Sequence, residues 1–489
     1  MRFVSFDLER GGNATCPLRA MWCNLPHGRP ALCCLLALLA CLGLAACASV
    51  PVVDENATPS SRIHMVGARG PLTQRQAKDV LSRLAAQAPD AGALERHLAI
   101  EQAVAESPLF TGNQVKIVRD GDQTFPAMFA AIHAAQRYLL LEYYIFEDVS
   151  YNGEQLGDLL VSKAQAGVQI YVIYDGVGSL DTPADFLDRL KGAGVHVVEF
   201  NPPNPLKGGR RFSINDRDHR KMLIADGRLV MVGGVNLSKT YQSAPGSGPS
   251  GASDKDAAKQ RPDVWHDTDM QIQGPVAAEL VRLFREHWLQ QQGAPLPIPD
   301  NQPAPAGNEV VRIIGSQPKR LTSRYYVTLL TAIHNAESNI WVTSAYFVPT
   351  HQEKEALVHA ARAGVDVRLL LPAHSDSSPA LQVQHSHYSE LLAAGVKIYE
   401  RQDGILHSKT VVIDGVWSMT GSSNFDHRSI LFNDEVDAVV LGKETGSQLS
   451  ALFQSDLQQA RAIELEEWRK RGALTKVREQ FWRLWEKLL

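Results

Sequence analysis

Two short stretches of this 489-residue sequence carry the same reactive side chains at the same spacing. They read "DHRKMLIAD" at 218–226 and "LHSKTVVID" at 406–414, and each has the pattern His-x-Lys-x4-Asp. A lone His-x-Lys is common on a solvated strand, whereas a second full copy indicates a shared function. The candidate catalytic residues are His219, Lys221 and Asp226 in the first copy and His407, Lys409 and Asp414 in the second.

The match between the two copies continues beyond the motif. Gly233 and Asn236 follow the first copy at the same offsets at which Gly421 and Asn424 follow the second. In each copy His and Lys alternate along a short apolar stretch, so on a strand both side chains point to one face. A glycine after such a strand lets the backbone come close to a bound group.

These residue types suit chemistry at a phosphate. The Lys ammonium neutralises oxygens that gain charge in the transition state, and Asn236 and Asn424 donate hydrogen bonds to them. The alternative for both asparagines is a turn position. One imidazole attacks phosphorus and forms a phosphohistidine, and the other protonates the departing alkoxide. Because the two must lie on opposite sides of one phosphorus, we expect the two copies to be halves of a single active site.

Carboxylates are expected to hold the two imidazoles. Aligning "NDEVDAVV" (433–440) with "WHDTDMQI" (265–272) places Glu435 opposite Asp267. A carboxylate on the far ring nitrogen sets the tautomer and stabilises imidazolium. We assign Glu435 to His407 and Asp267 to His219. The motif residues Asp226 and Asp414 are expected to shape the site rather than transfer protons.

No metal or cofactor is expected at this site. No Cys/His cluster has zinc spacing, and neither a Walker nor a dinucleotide-binding glycine pattern is present.

Repeated units predict the architecture. Stretches such as "AGVQIYVIYDGVGS" (166–179) and "AGVDVRLLLPAHSD" (363–376) each combine a helix that stops at Gly with a buried strand. Strands that alternate with helices predict two α/β domains. The expected divisions are a lipoprotein-type signal peptide (1–46), a tether and helical region (47–104), a first domain (105–292), a Pro-rich linker (293–307), a second domain (308–445) and a C-terminal helical region (446–489). A polar stretch at 243–262 is expected to form a mobile loop beside the site.

The first 47 residues predict export. All six cysteines lie there, and residues 31–46 form an uncharged apolar run too short for a membrane-spanning helix. The run ends in "LAAC", which resembles a lipobox with Cys47 as the lipid anchor. The expected location is a bacterial membrane, as a lipoprotein facing the periplasm, and Ala48 favours the outer membrane. An ordinary signal peptide or an uncleaved anchor are the alternatives.

The doubled motif resembles the phospholipase D superfamily. Four further stretches resemble bacterial cardiolipin synthases: "EYYIFED" (142–148), "YDGVGS" (174–179), "YFVP" (346–349) and "GSSNFDHRSILFNDE" (421–435). The resemblance implies two repeated domains, each a mixed β-sheet flanked by helices, related by a pseudo-twofold axis with one active site at their interface. The front of the chain departs from many synthases, which have two transmembrane helices there.

The resemblance also implies a reaction. A phosphatidyl group moves from phosphatidylglycerol to His219, and then to a hydroxyl of a second phospholipid, with His407 as the acid and base. Phosphatidylethanolamine is a further candidate substrate, the protein is expected at a membrane, and protein partners are unknown.

Other readings of the same residues stay open. Water as acceptor gives a phospholipase D that produces phosphatidic acid, and a non-catalytic lipid-binding lipoprotein is a third reading. A nucleic-acid substrate is disfavoured by the net charge of −4. In the C-terminal region, Val477, Phe481, Leu484, Trp485 and Leu488 share one helical face, which could pack on the body or meet a bilayer. Packing is favoured.

Overall fold

The structure is a computed structural model that describes residues 63–88, 98, 107–204, 213, 215–242, 264–292, 295–300, 303–317 and 323–489. The predicted signal peptide, Cys47 and the polar stretch at 243–262 lie outside these residues. Among the described helices, none combines the length and apolar character needed to cross a membrane.

Seven strands in each half of the chain build the sheets that carry the motifs. In the first half they are β1 (Leu109–Arg119), β2 (Tyr138–Tyr143), β3 (Gln169–Asp175), β4 (His196–Phe200), β5 (Lys221–Ala225), β6 (Leu229–Gly233) and β7 (Thr268–Gln273). In the second half they are β8 (Glu309–Ser316), β9 (Asn339–Thr343), β10 (Asp366–Pro372), β11 (Lys397–Arg401), β12 (Thr410–Ile413), β13 (Trp417–Gly421) and β14 (Asn433–Leu441). Short strands are Met65–Gly67, Gly70–Pro71, Ser150–Tyr151, Glu154–Gln155, Arg217–Asp218, Trp265–His266, Ile405–Leu406 and Ala460–Ala462.

Helices cover these sheets. They are α1 (Gln74–Ala85), α2 (Asp120–Ala134), α3 (Leu156–Gln165), α4 (Ala184–Gly192), α5 (Ala277–Gln292), α6 (Arg324–His334), α7 (His351–Arg362), α8 (Ser378–Ala393), α9 (His427–Leu431), α10 (Lys443–Leu457), α11 (Leu465–Arg469) and α12 (Ala473–Arg483). Single 3-10 turns occur at Lys239–Gln242 and Glu486–Leu488. The predicted glycine stops after α3 and α7 have φ of 91° at Gly167 and 97° at Gly364, a region that residues with a Cβ rarely enter.

The two halves have the same strand order. The first runs β4-β3-β2-β5-β6-β7-β1, with parallel pairs from β4 to β2 and antiparallel pairs from β2 onward. The second runs β11-β10-β9-β12-β13-β14-β8 with the same directions. The prediction of repeated α/β halves with mixed sheets is therefore confirmed.

The halves share backbone hydrogen bonds and a core. Strands β1 and β8 pair antiparallel, which joins the two sheets edge to edge. One buried apolar cluster also combines side chains from both halves, including Met222, Val232, Val311 and Ala438, with Phe284 of α5. Because the halves bury these side chains against each other, their relative position is fixed by packing.

The motif aspartates lie at the far end of their strands from the histidines. Asp226 lies five positions after Lys221, which is roughly 16 Å of extended strand. The Asp226 carboxylate accepts hydrogen bonds of 2.8–2.9 Å from the backbone amides of Gln136, Arg137 and Tyr138, where the chain enters β2.

Asp414 makes the equivalent contacts in the second half. Its carboxylate accepts hydrogen bonds from the amides of Glu337, Ser338 and Asn339, which precede β9. Each aspartate thus ties its motif strand to the neighbouring strand. This agrees with a structural role, but the expectation that the two aspartates shape the site itself is wrong, because they lie at the other end of the strand.

We predict that Asp226→Ala will lower the free energy of unfolding by about 3 kcal/mol, because three amides lose a charged acceptor. The kcat of the folded protein should be unchanged. Urea unfolding and steady-state kinetics measure the two quantities, and Asp414→Ala should behave alike. Asp188→Ala, at a surface carboxylate in a 3.8 Å pair with Lys191, is the control and should cost under about 1 kcal/mol. A loss of kcat at normal stability would refute the structural assignment.

Candidate active site

Two short parallel strand pairs join the halves where the histidines lie. Arg217–Asp218 pairs with Asn433–Asp434, and Trp265–His266 pairs with Ile405–Leu406. The backbone amide that follows each pair continues the ladder, so the His219 amide donates to the Asp434 carbonyl at 2.9 Å and the His407 amide donates to the His266 carbonyl at 2.7 Å. Each motif histidine is therefore held by backbone of the opposite half.

His219 is oriented by a carboxylate of the second half. Its Nδ1 lies 3.1 Å from both oxygens of Glu435, which leaves Nε2 as the other ring nitrogen. Ser422 Oγ donates to the same carboxylate at 2.5 Å, and Asn433 Nδ2 donates at 3.1 Å. A carboxylate fixed by two further donors sets the tautomer with Nδ1–H and a free Nε2 lone pair.

His407 is oriented in the same manner by the first half. Its Nδ1 lies 2.6 Å from Asp267 Oδ2, and the Tyr241 hydroxyl is 2.9 Å from the same nitrogen. Its ring also packs 5.1 Å from the Trp265 ring and 6.1 Å from that of Tyr346. The aromatic rings restrict its rotation and exclude water from its surroundings.

The predicted equivalence of Glu435 and Asp267 holds, but their assignment to the histidines is wrong. The amide of Gly234 donates to the Thr268 carbonyl, and the amide of Ser422 donates to the Val436 carbonyl. Strands β7 and β14 therefore align as expected. Within one half, however, β6 lies between β5 and β7, which puts the carboxylate strand roughly 10 Å from the histidine strand. The carboxylate of the opposite half is close, because the interface pairs bring it there.

Both motif lysines are buried beside the histidines. Lys221 Nζ donates to the His219 carbonyl at 2.5 Å, and it lies 5.4 Å from the centre of the Tyr144 ring. Lys409 Nζ donates to the His407 carbonyl and lies 2.8 Å from His407 Nδ1. Burial lowers the pKa of both ammonium groups, for Lys221 to about 7. An arriving anion would restore their preference for the charged form.

Burial also keeps both imidazoles neutral. It lowers the pKa of His219 to about 4, with Glu435 opposing and Lys221 adding to the effect. It lowers the pKa of His407 as well, together with the nearby Lys409 ammonium. For Glu435, burial acts to raise the pKa, but His219 and Lys221 outweigh it and the pKa is lowered. The resting site therefore holds neutral imidazoles beside an ionised carboxylate.

The repeated spacing of the glycines has a different cause from the one expected. A Cβ at Gly233 would lie 2.1 Å from Asp269 Oδ1, and a Cβ at Gly421 would lie 2.2 Å from Asp437 Oδ1. These two carboxyls belong to β7 and β14, and they accept from the amides of Val235 and Ser423. The glycines thus make room for a neighbouring carboxyl rather than for a bound group.

The two asparagines line the same pocket but differ in their bonds. Asn236 Oδ1 accepts from the Ile145 amide at 3.1 Å, and its Nδ2 donates to the Tyr241 hydroxyl at 3.3 Å. Asn424 Oδ1 is buried and has no hydrogen-bond partner among the described residues. Asn236 therefore has a positioning role, and Asn424 keeps a polar atom for a ligand.

A single pocket contains both histidines. Its volume is about 310 Å³. Its charged and polar walls include Arg217, Arg428, Asp376, Asp426, Asn433, Asn236 and Asn424, and its apolar and aromatic walls include Tyr144, Ile145, Trp265, Tyr346, Val348, Ala380 and Leu489. A cavity of this size accommodates the polar headgroup portion of phospholipids, whereas their acyl chains exceed it.

Comparison with known proteins identifies the family. The family model described as cardiolipin synthase, PLD-like domain, matches residues 128–244 and 329–457. The chain belongs to this family. A cardiolipin synthase A of Pseudomonas entomophila is 35% identical over 367 residues, which cover 74% of this chain and 72% of that protein. A probable cardiolipin synthase of Bacillus subtilis is 31% identical over 403 residues, covering 81% and 76%.

A solved structure agrees with the fold. The crystal structure of a phosphatidylserine synthase of Haemophilus influenzae matches with a TM-score of 0.58 at 11% identity, over 80% of this chain and all of that chain. The family model and the two relatives confirm the resemblance to the phospholipase D superfamily and its cardiolipin synthases. The two segments that the family model matches contain the two motif histidines.

A second polar layer lies behind the motif and was missed in the sequence. Arg220 alternates with His219 and Lys221, so its side chain leaves the opposite face of the strand, fully buried. Its guanidinium donates to Glu142 Oε1 at 3.2 Å and to the Glu435 carbonyl at 3.3 Å. The sequence did contain a signal for this layer, because a charged residue, Arg220, stands between His219 and Lys221 on the strand and must therefore point to the opposite face.

Within the described residues, one group has donor atoms close enough to hold a metal ion. Glu142, Asp218 and His287 place ligand atoms within 4.8 Å of one another, and all three are buried. Burial raises the pKa of Glu142 to about 7 and, with the Glu142 charge, raises that of Asp218. The group includes none of the motif histidines or lysines. The absence of a metal from the reaction stays a prediction.

We predict that Glu435→Gln will lower kcat by roughly 10³–10⁴, because the imidazolium of His219 loses its counter-charge. Asp267→Asn should do the same through His407. Histidine ring NMR should show that each change perturbs the imidazole of the opposite half. Ser422→Ala, which removes only one donor to Glu435, is the control and should cost far less. Perturbation of the histidine in the same half would contradict the crossed pairing.

We also predict a bell-shaped pH profile of kcat/KM, which reports free-enzyme pKa values. His219 gains a proton and loses its nucleophilic lone pair as the pH falls through about 4, and Lys221 loses its charge as the pH rises through about 7. The maximum should lie between these limbs. Lys221→Arg keeps its charge at higher pH, so its basic limb should move upward. An unmoved limb would remove Lys221 from the explanation.

Proposed function

We propose that this protein is a phosphatidyltransferase of the cardiolipin synthase type, which uses phosphatidylglycerol as donor and acceptor. One observation carries the proposal: two imidazoles, one from each half, line one pocket, and each is held through Nδ1 by a carboxylate of the opposite half. That arrangement provides one nucleophilic and one proton-transferring nitrogen at a single phosphorus. The curated relatives named cardiolipin synthase support the choice of substrates.

In the first step, His219 Nε2 attacks the phosphorus of the donor lipid. A P–N bond forms and the bond from phosphorus to the headgroup glycerol oxygen breaks. His407, which takes up a proton on Nε2 when the anionic donor lipid binds, gives that proton to the departing alkoxide, and glycerol leaves. Lys221 and Lys409 stabilise the charge that builds on the phosphoryl oxygens.

In the second step, the terminal hydroxyl of another phosphatidylglycerol attacks the phosphohistidine. His407 takes the hydroxyl proton, an O–P bond forms, and the P–N bond to His219 breaks. Cardiolipin results, His219 is neutral again, and His407 releases the hydroxyl proton to solvent, which restores the resting site. The assignment of His219 as nucleophile rests on the family resemblance, because burial lowers the pKa of both imidazoles and does not distinguish them.

The acceptor lipid brings a phosphate of its own. Arg428 lines the pocket and is half-buried, and its Nη2 donates to the Asn215 carbonyl at 3.1 Å. Arg217 lines it too and is paired with Asp175 at 3.4 Å. We infer that these arginines hold the second phosphate, while the lysines hold the reacting one.

Transfer to a lipid rather than to water is favoured by the pocket walls. Trp265 and Tyr346 pack against His407, and Val348 and Ala380 line the same cavity. Apolar walls bind a lipid acceptor and limit the water that could compete with it. Membrane association follows from the substrates, and the lipid anchor at Cys47 and the periplasmic location stay predictions.

We predict that the full chain in detergent, given labelled phosphatidylglycerol and EDTA, will form cardiolipin and glycerol in equal amounts. His219→Ala and His407→Ala should each lower turnover by roughly 10⁴ or more, because either loss disables the unit. His359→Ala, at an exposed position on α7, is the matched control and should leave turnover unchanged. Phosphatidic acid as the main product would make the protein a hydrolase. No turnover of any phospholipid would favour the lipid-binding reading.

A further inference from the structure

The C-terminal helix α12 is fixed to the second half by one of its faces. Glu479 is buried at 2% exposure, and its carboxylate accepts a hydrogen bond of 2.7 Å from Arg471 Nη2. Arg478 Nε donates to Gln382 Oε1 of α8 at 3.0 Å. Trp482 packs against a buried apolar cluster beneath α8. The helix is thus part of the folded body, and its opposite face is set in position.

That opposite face carries a row of large apolar side chains in solvent. The row consists of Leu474, Val477, Phe481 and Leu484, which are 83%, 65%, 53% and 77% exposed. The spacing of three, four and three residues aligns them on one side of a helix, over about 15 Å. Packing on the body was the favoured expectation for the face with Val477, Phe481, Leu484, Trp485 and Leu488. It is wrong for the first three, which are exposed, whereas Trp485 and Leu488 are half-buried. A contiguous exposed apolar row marks a surface that meets a partner or a membrane.

Positive charge flanks the apolar row. Residues 469–489 contain seven Lys or Arg and two Glu, which gives +5 in a chain whose formal net charge is −4. Lys470, Lys476 and Lys487 are exposed among them. An apolar helix face bordered by cations matches the chemistry of an anionic bilayer, where apolar groups enter the acyl boundary and cations meet phosphates.

The chain segment that carries the row also borders the catalytic pocket. Leu489 follows Leu484 by five residues and lines the pocket. Trp482 and Leu489 pack on Val348 and Ala380, which line it as well. Since the pocket holds about 310 Å³, the acyl chains of a bound phospholipid must extend out of it. A bilayer in contact with this edge would receive those chains.

We propose that Leu474, Val477, Phe481 and Leu484 insert into the interfacial layer of an anionic phospholipid bilayer, and that this contact holds the pocket against its substrate. The choice of a lipid surface as partner rests on the proposed function. Docking through a rigid helix face keeps the site at a fixed depth, so a headgroup can enter while its chains stay in the membrane.

The test compares the full chain with the double variant Phe481→Ser/Leu484→Ser. Leu289→Ser, at a leucine 46% exposed on α5, is the matched control. The apolar segment at 31–46 could itself retain the chain on vesicles. Co-sedimentation with vesicles would therefore not distinguish that binding from the contact of α12. The readout is therefore the labelling of Lys476 and Lys487 by a water-soluble amine reagent, with mass spectrometry, on vesicles of phosphatidylcholine with or without phosphatidylglycerol.

We expect phosphatidylglycerol vesicles to protect both lysines in the wild type and in Leu289→Ser, and the double variant to lose this protection by roughly tenfold or more. Its kcat/KM should fall similarly for lipid in vesicles and stay unchanged for a soluble short-chain phosphatidylglycerol. Unaltered labelling with vesicles, or equal labelling of wild type and double variant, would overturn the proposal. An oligomer that the double variant converts to monomer, with labelling insensitive to vesicles, would assign the row to a second copy instead.

The two proposals fail separately. Protection of the lysines without turnover of either lipid form would overturn the proposed function and leave the docking surface. Turnover of vesicle lipid that the double variant retains would overturn the docking surface and leave the function.

Discussion

The rest of the site depends on the crossed contacts between the halves. Two-residue parallel strand pairs place each motif histidine beside the opposite half. There a carboxylate of that half, Glu435 or Asp267, forms a hydrogen bond with the histidine Nδ1. Neither half can assemble a catalytic histidine alone, because its own carboxylate strand lies two strands away in the same sheet. The edge pairing of β1 with β8 and the shared core then become requirements of the chemistry as well as of stability.

Burial of this charge set is what prepares the site. Burial lowers the pKa of both imidazoles and of both motif lysines, and the lysines lie beside the carboxylates that hold the histidines. The desolvated lysines favour an anion, and a phosphodiester supplies it. Behind the motif, Arg220 donates a hydrogen bond to the backbone carbonyl of Glu435. This contact fixes the backbone that carries the Glu435 carboxylate. The site thus places charged and hydrogen-bonding groups around the phosphate position before substrate binds.

Much of this could be predicted from the sequence, and for identifiable reasons. Doubled spacing revealed the histidines and lysines, and the alignment of "NDEVDAVV" with "WHDTDMQI" found both carboxylates, since duplicated strands keep their register. The partner exchange could not be found in this way, because an alignment shows which residues are equivalent and not which of them meet across an interface. Tyr241 and Trp265 were missed, as they flank the polar stretch at 243–262 without a counterpart pattern. The glycine spacing was found, but its cause lies in the carboxyls of β7 and β14.

The most direct test of the central claim is a crystal structure of the full chain with vanadate, which takes the geometry of phosphorus under attack. The account predicts one vanadium centre bonded to Nε2 of one motif histidine, with Nε2 of the other on the opposite side and both lysines on its oxygens. His219 Nδ1 should remain on Glu435 and His407 Nδ1 on Asp267. Two separate vanadates, each held by the His and Lys of one half alone, would contradict the shared site.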